Sequence, residues 1–123
     1  MPDDINSDSD RPGALDPSVL AELRELDPGG TEKLVETVVA SFLRDAQARL
    51  NDIRDAVSRQ EGPPLRQVAH ALKGSSGCVG AIGMASLSAQ LQEAAEIGAF
   101  HKAVDLAGQL ENEFLRVRLI LES

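Results

Sequence analysis

Residues Leu65–Val79 read LRQVAHALKGSSGCV. Leu65, Val68, Leu72 and Val79 recur at intervals of three, four and seven, the spacing of one buried stripe on an α-helix. His70 lies two residues from both Val68 and Leu72, and at about 100° per residue this turns it roughly 160° from each. The imidazole therefore faces away from the core. Lys73 stands one turn along the same outward face, where Gly74 and Gly77 leave bare backbone. A mid-helix glycine costs about 1 kcal/mol relative to alanine. Two of them on an exposed face point to a use other than packing, namely close approach by a second protein. Ser76 falls on the buried stripe and is expected to pack.

The same periodicity extends in both directions. Upstream, Val35, Val38, Phe42, Ala46, Leu50, Ile53 and Val57 predict a helix of about seven turns, beginning at Thr31 and ending before Glu61-Gly62-Pro63-Pro64. The helix of His70 starts near Pro64 and stops at the glycines of Gly80-Ala81-Ile82-Gly83. Met84, Leu87, Leu91 and Ala94 or Ala95 continue a stripe to Ile97-Gly98. The final stripe takes Phe100, Val104, Ala107, Leu110 or Glu111, Phe114, Val117 and Leu121, with Glu111 as the polar residue nearest the apolar side. Before all of these, Asp16 is a candidate N-cap and Pro17 suits a first helical position. Val19, Leu20, Leu23 and Leu26 follow, and Asp27-Pro28-Gly29-Gly30 ends that short segment. The expected fold is all-α: an antiparallel four-helix bundle over residues 14–123, with a short extra N-terminal helix packed on one end.

Residues 1–13 hold four Asp and almost nothing apolar, and are expected to be a flexible acidic tail. The whole chain, 123 residues with three Phe and neither Tyr nor Trp, must build its core from aliphatic side chains and alanine, which favours helix. Its net charge of -8 disfavours nucleic acid or an acidic membrane as partner. Cys78 is the sole cysteine, so no internal disulfide forms; near a turn and without a basic neighbour, it is expected to be inert packing. There is no membrane-length apolar run and no His/Cys cluster with metal-ligand spacing. A cytoplasmic location and no bound metal are the expectations.

Turn geometry adds a partner for the histidine. In an antiparallel hairpin, residues equidistant from the turn lie at the same height, and residue 81 is midway between His70 and Gln92. The Gln92 amide can therefore accept from one imidazole nitrogen and leave the other, turned away from Gln92, as a nucleophile. Lys73 favours the neutral ring before reaction and pairs with an anion after it. Such a constellation suits acceptance of a phosphoryl group. No Gly-rich GK[ST] loop and no kinase-like set of Asp and Asn ligands occurs, so autonomous kinase or ATPase activity is not expected.

With Leu87 to Gln92, the run HALKGSSGCVGA resembles the histidine-containing phosphotransfer (HPt) domain of multistep phosphorelays, over roughly residues 15 to 121. The resemblance implies a carrier that accepts phosphate from a receiver-domain aspartate and delivers it to another, through phosphohistidine at His70. It assigns Lys73 to phosphate stabilisation, Gly74 to admitting the receiver, and Gln92 to hydrogen bonding His70. Gly77 extends the docking face. The partners it implies are receiver domains of response regulators and hybrid histidine kinases, which supply Mg²⁺, with the carrier itself a monomer. Some members have a further basic residue one turn beyond the glutamine. Here that position is Glu96, and Arg66, one turn before His70, is the candidate to compensate.

Two other readings compete. A pure interaction module would dock a receiver by the same face without carrying phosphate, and would be indifferent to His70→Gln. A dimerisation domain of a histidine kinase fits less well, because Ala71 stands where an acidic residue usually follows that histidine.

Overall fold

The computed structural model describes residues 14–123, which form five helices: α1 Pro17–Leu26, α2 Leu34–Arg59, α3 Gly62–Cys78, α4 Ile82–Ile97 and α5 Phe100–Glu122. Helices α2 to α5 make a closed ring of neighbours, α2 on α3, α3 on α4, α4 on α5 and α5 back on α2, with α1 packed on α2. The architecture is the four-helix bundle with a short N-terminal helix that the apolar stripes imply. The expected acidic tail, residues 1–13, lies outside the described residues.

One continuous core runs through the ring. Ile53, Leu65, Leu72, Met84, Leu91, Leu110, Val79 and Val117 are its largest fully buried side chains, and Phe42 and Phe114 join them. The most extensive helix contact is between α3 and α4, and both helices bury small residues, Ala69 and Ser76 on α3 and Ser88 and Ala95 on α4. Small side chains let two helix backbones approach closely, which stiffens the pair.

Helix ends follow from local chemistry. Asp16 caps α1 by accepting from the Ser18 amide at 3.0 Å and its hydroxyl at 2.8 Å. Pro63 and Pro64 sit in the first turn of α3, where a missing N–H costs nothing. At the α3–α4 turn Gly80 has φ of 77°, a left-handed conformation that glycine adopts without penalty. Its carbonyl accepts from the Asp16 amide at 2.7 Å, tying the start of α1 to this turn. The ends of α2 and α5 overshoot the turn: α2 has 26 residues against 17 in α3, a surplus of about 13 Å at the helical rise. Ala14 and Leu20 are buried at that end.

Four expectations about helix bounds and register need correction. Helix α2 begins at Leu34 rather than Thr31, because the Asp27 carboxylate accepts from the amides of Glu32 and Leu34, each at 3.2 Å, and Lys33 is left-handed with φ of 52°. That wraps Pro28–Lys33 into a loop. On α5, Val104 is 61% exposed, since Leu106, Leu110, Phe114 and Val117 set a register whose preceding member is Ala103. The buried acid of α5 is Glu113, not Glu111; Glu111 instead pairs with Arg54 of α2 at 2.7 Å on the rim. Leu26, the last residue of α1, is exposed, because that helix touches α2 along one side only.

A side chain at Gly80 would be strained by the positive φ, and its Cβ would come within 2.7 Å of the Asp16 carbonyl. Gly80→Ala is therefore expected to lower unfolding stability by at least about 1 kcal/mol. Urea denaturation followed by circular dichroism checks this, and an unchanged midpoint would contradict it.

Candidate functional site

His70 is exposed near the middle of α3, and the turn at Gly80 and Ala81 brings α4 back beside it. Gln92 lies at the same height, with its Oε1 3.3 Å from His70 Nδ1. A carbonyl oxygen can only accept, so the contact requires the proton on Nδ1. In the neutral ring that leaves the lone pair on Nε2.

Lys73 and Gly74 are exposed one turn further toward the turn, and Gly77 follows on the same face. A Cβ built at Gly74 or Gly77 would meet nothing within 4 Å. These glycines fill no packing need inside the domain. Ser76, between them in sequence, is fully buried, so the surface and core stripes separate as the helical period requires. Lys73 pairs with no carboxylate among the described residues. Cys78 is exposed at the end of α3, which corrects its expected role as packing: the core stripe turns through Ser76 and Val79 and leaves position 78 outside.

Arg66 also faces outward one turn before His70, and its Nε donates to Glu96 Oε2 at 2.7 Å. The guanidinium considered as a compensating phosphate contact is thus already engaged across the helix pair. The Arg66 hydrogen bond is the main reason that the Glu96 carboxyl titrates below the ordinary glutamate range; desolvation opposes it in part, and the charge of Arg66 adds to the lowering. Both side chains are about half exposed, so the pair contributes little to stability.

Sequence reasoning placed His70 beside Gln92 but missed this second cross-helix pair. The signal was available, because residue 81 is also midway between Arg66 and Glu96. It missed likewise that Glu113 of α5 lies over Gly83 of α4, where a Cβ would collide with its carboxylate. Gly98, the α4–α5 turn residue with φ of 73°, is midway between those two.

The Hpt domain family model matches residues 37–119. A crystal structure of histidine-containing phosphotransfer protein B (HptB) from Pseudomonas aeruginosa PAO1 superposes with a TM-score of 0.82 at 32% sequence identity, covering 89% of this chain and 91% of that one. No curated protein matches the chain. The chain belongs to the Hpt family, the histidine phosphotransfer domains of phosphorelays.

Because the folded Glu96 pKa is lowered, its link to Arg66 is intact at neutral pH and is lost only as pH falls through that lowered value. A carboxyl-carbon NMR titration should give Glu96 a midpoint below that of a free glutamate, and Arg66→Met should raise it. An unshifted midpoint in the wild type would mean that the pair does not persist in solution.

Proposed function

We propose that His70 is the phosphorylated residue and that the protein shuttles a phosphoryl group between receiver-domain aspartates. The observation that carries this reading is the contact of His70 Nδ1 with the Gln92 carbonyl, on an exposed helix face that glycine leaves bare. The Nε2 lone pair attacks the phosphorus of a receiver's aspartyl phosphate. The N–P bond forms as the P–O bond to the aspartate breaks, and the aspartate leaves as a free carboxylate. The imidazole becomes a phosphorylated cation whose Nδ1–H still donates to Gln92. Delivery to a second receiver reverses these steps.

Each neighbour has a part in this scheme. Gln92 holds the ring in the reactive tautomer. Lys73 offsets the charge of the transferring phosphoryl group and of the phosphohistidine. Gly74 and Gly77 let the receiver bring its acidic site close to Nε2. Mg²⁺, which neutralises the phosphoryl oxygens, belongs to the receiver, and Arg66 lies at the edge of the docking face. Receivers of response regulators and hybrid histidine kinases are the partners proposed, with the carrier acting as a cytoplasmic monomer. No helix among the described residues is long and apolar enough to cross a membrane.

The test is transfer of radiolabelled phosphate from a phosphorylated receiver with Mg²⁺. Acid-labile label should appear on the wild type and be absent from His70→Gln, while receiver binding persists in both. Binding without label on either would favour the docking-module reading. Lys73→Ala should slow transfer and shorten the lifetime of the phosphorylated form without unfolding the domain; unchanged kinetics would remove its assigned part. Gly74→Gln should stabilise the isolated domain by a fraction of about 1 kcal/mol yet sharply reduce transfer, and a normal rate would displace the docking surface from this face.

A further inference from the structure

Two cross-helix pairs stand as adjacent rungs centred on Ala81, Arg66 with Glu96 and His70 with Gln92. A guanidinium carries five N–H donors, and Arg66 commits one of them, on Nε, to Glu96 Oε2 at 2.7 Å. Its terminal Nη1 and Nη2 donate to nothing among the described residues, and the side chain is 53% exposed. The other cross-helix arginine differs, because Arg54 gives both Nε and Nη2 to Glu111. Arg66 is therefore held in place with most of its donors open, one turn from His70.

The direction of hold follows from helix geometry. Side chains on an α-helix lean toward its N-terminus. Arg66 alone would lean away from His70, toward the start of α3, whereas His70 leans back over the turn of Arg66. Because α4 runs antiparallel, Glu96 leans toward Gln92 and so toward the level of His70. The ion pair thus draws the guanidinium against its own inclination. The rungs are about 5.4 Å apart, one helical turn. The oxygens of a phosphoryl group on Nε2 span part of that gap, and a charge-assisted hydrogen bond of about 2.8 Å spans the rest. Lys73 leans over the turn of His70 from the opposite side.

We infer that Arg66 donates its terminal N–H groups to the phosphoryl group carried by His70, and that Glu96 is the positioning residue that holds the guanidinium within reach. This rests on the reading of His70 as the acceptor. No covalent step is added: Arg66 keeps its protons and meets the negative charge of the phosphoryl oxygens. Half exposure leaves the pair little effect on stability, so its part is orientation. If Glu96 acted through its charge alone, Glu96→Ala would favour a dianionic phosphoryl group. Positioning predicts the opposite sign.

The experiment phosphorylates the full chain with phosphoramidate, which needs no receiver and so separates contact with the phosphoryl group from docking. The ³¹P NMR signal of phosphorylated His70, assigned by its loss in His70→Gln, then follows the second ionisation of the phosphoryl group. Arg66→Met is expected to raise the midpoint by about one pH unit, the low end of the effect of one opposite charge close by. Glu96→Ala is expected to raise it by less, and Glu96→Gln, whose carbonyl still accepts from Nε, to restore most of the wild-type value. In the Arg66→Met background Glu96→Ala should lower the midpoint, because only its charge is left to act. Transfer from a saturating phosphorylated receiver should slow about five-fold in Arg66→Met, as for loss of one ordinary hydrogen bond. A midpoint unchanged in Arg66→Met, or lowered by Glu96→Ala in the otherwise wild-type chain, would overturn the proposal while the acceptor reading stands. If no ³¹P signal is lost in His70→Gln, the acceptor reading itself fails, and the proposal with it.

Discussion

The turn between α3 and α4 is the constraint on which the site depends. Gly80 reverses the chain in a left-handed conformation, the Ala81 amide donates back to the Ser76 carbonyl at 2.8 Å, and the Asp16 amide fastens the start of α1 to the Gly80 carbonyl. Once that pivot is set, helical rise alone decides which residues of α3 meet which of α4. One residue more or less in the turn would rotate α4 by about 100° relative to α3 and take Gln92 away from His70. The extensive contact between α3 and α4, both of which bury small residues, then holds the pair close. Precision in a contact such as that of Nδ1 with Oε1 thus comes from backbone geometry and packing rather than from the strength of the contact itself.

The face built on this hairpin grades from charge to emptiness. Moving toward the turn, the Arg66–Glu96 pair gives way to His70 and Gln92, then to Lys73 beside Gly74, and finally to Gly77, whose backbone is open to solvent. Glycines inside a helix weaken it, and here no internal contact compensates. The buried half of the same helix supplies the offset: Leu65, Ala69, Leu72 and Ser76 are fully buried. A helix anchored so firmly on one side can tolerate bare backbone on the other. Function and stability are divided between two faces of α3, and the period of the helix keeps them apart.

Much of this was legible from residue order alone. Helix number and bundle class followed from stripes such as Leu65, Leu72 and Val79, because burial of an amphipathic face leaves few alternatives. The height of Gln92 followed from counting about Ala81. What failed did so for identifiable reasons. Val104 is more apolar than Ala103, yet the neighbours of Ala103 set the register of α5, so the smaller residue is buried. Glu113 is buried because Gly83 opposite it has no side chain, a fact about two helices that inspection of α5 alone does not reveal. Helix α2 starts late because one carboxylate, Asp27, gathers the amides of a loop that otherwise reads as the first helical turn. The Arg66–Glu96 pair was missed because each residue was weighed for its own contact with phosphate rather than for contact with the other.

The central claim is that the fold holds His70 with Nδ1 engaged and Nε2 presented for phosphoryl transfer. The most direct measurement is heteronuclear NMR of the ¹⁵N-labelled protein after phosphorylation by a receiver, in which the ³¹P–¹⁵N coupling and ring-proton correlations identify the bonded nitrogen. The account predicts phosphorus on Nε2 of His70, with Nδ1 still protonated and hydrogen-bonded. Phosphorus on Nδ1, or on any other residue, would contradict it.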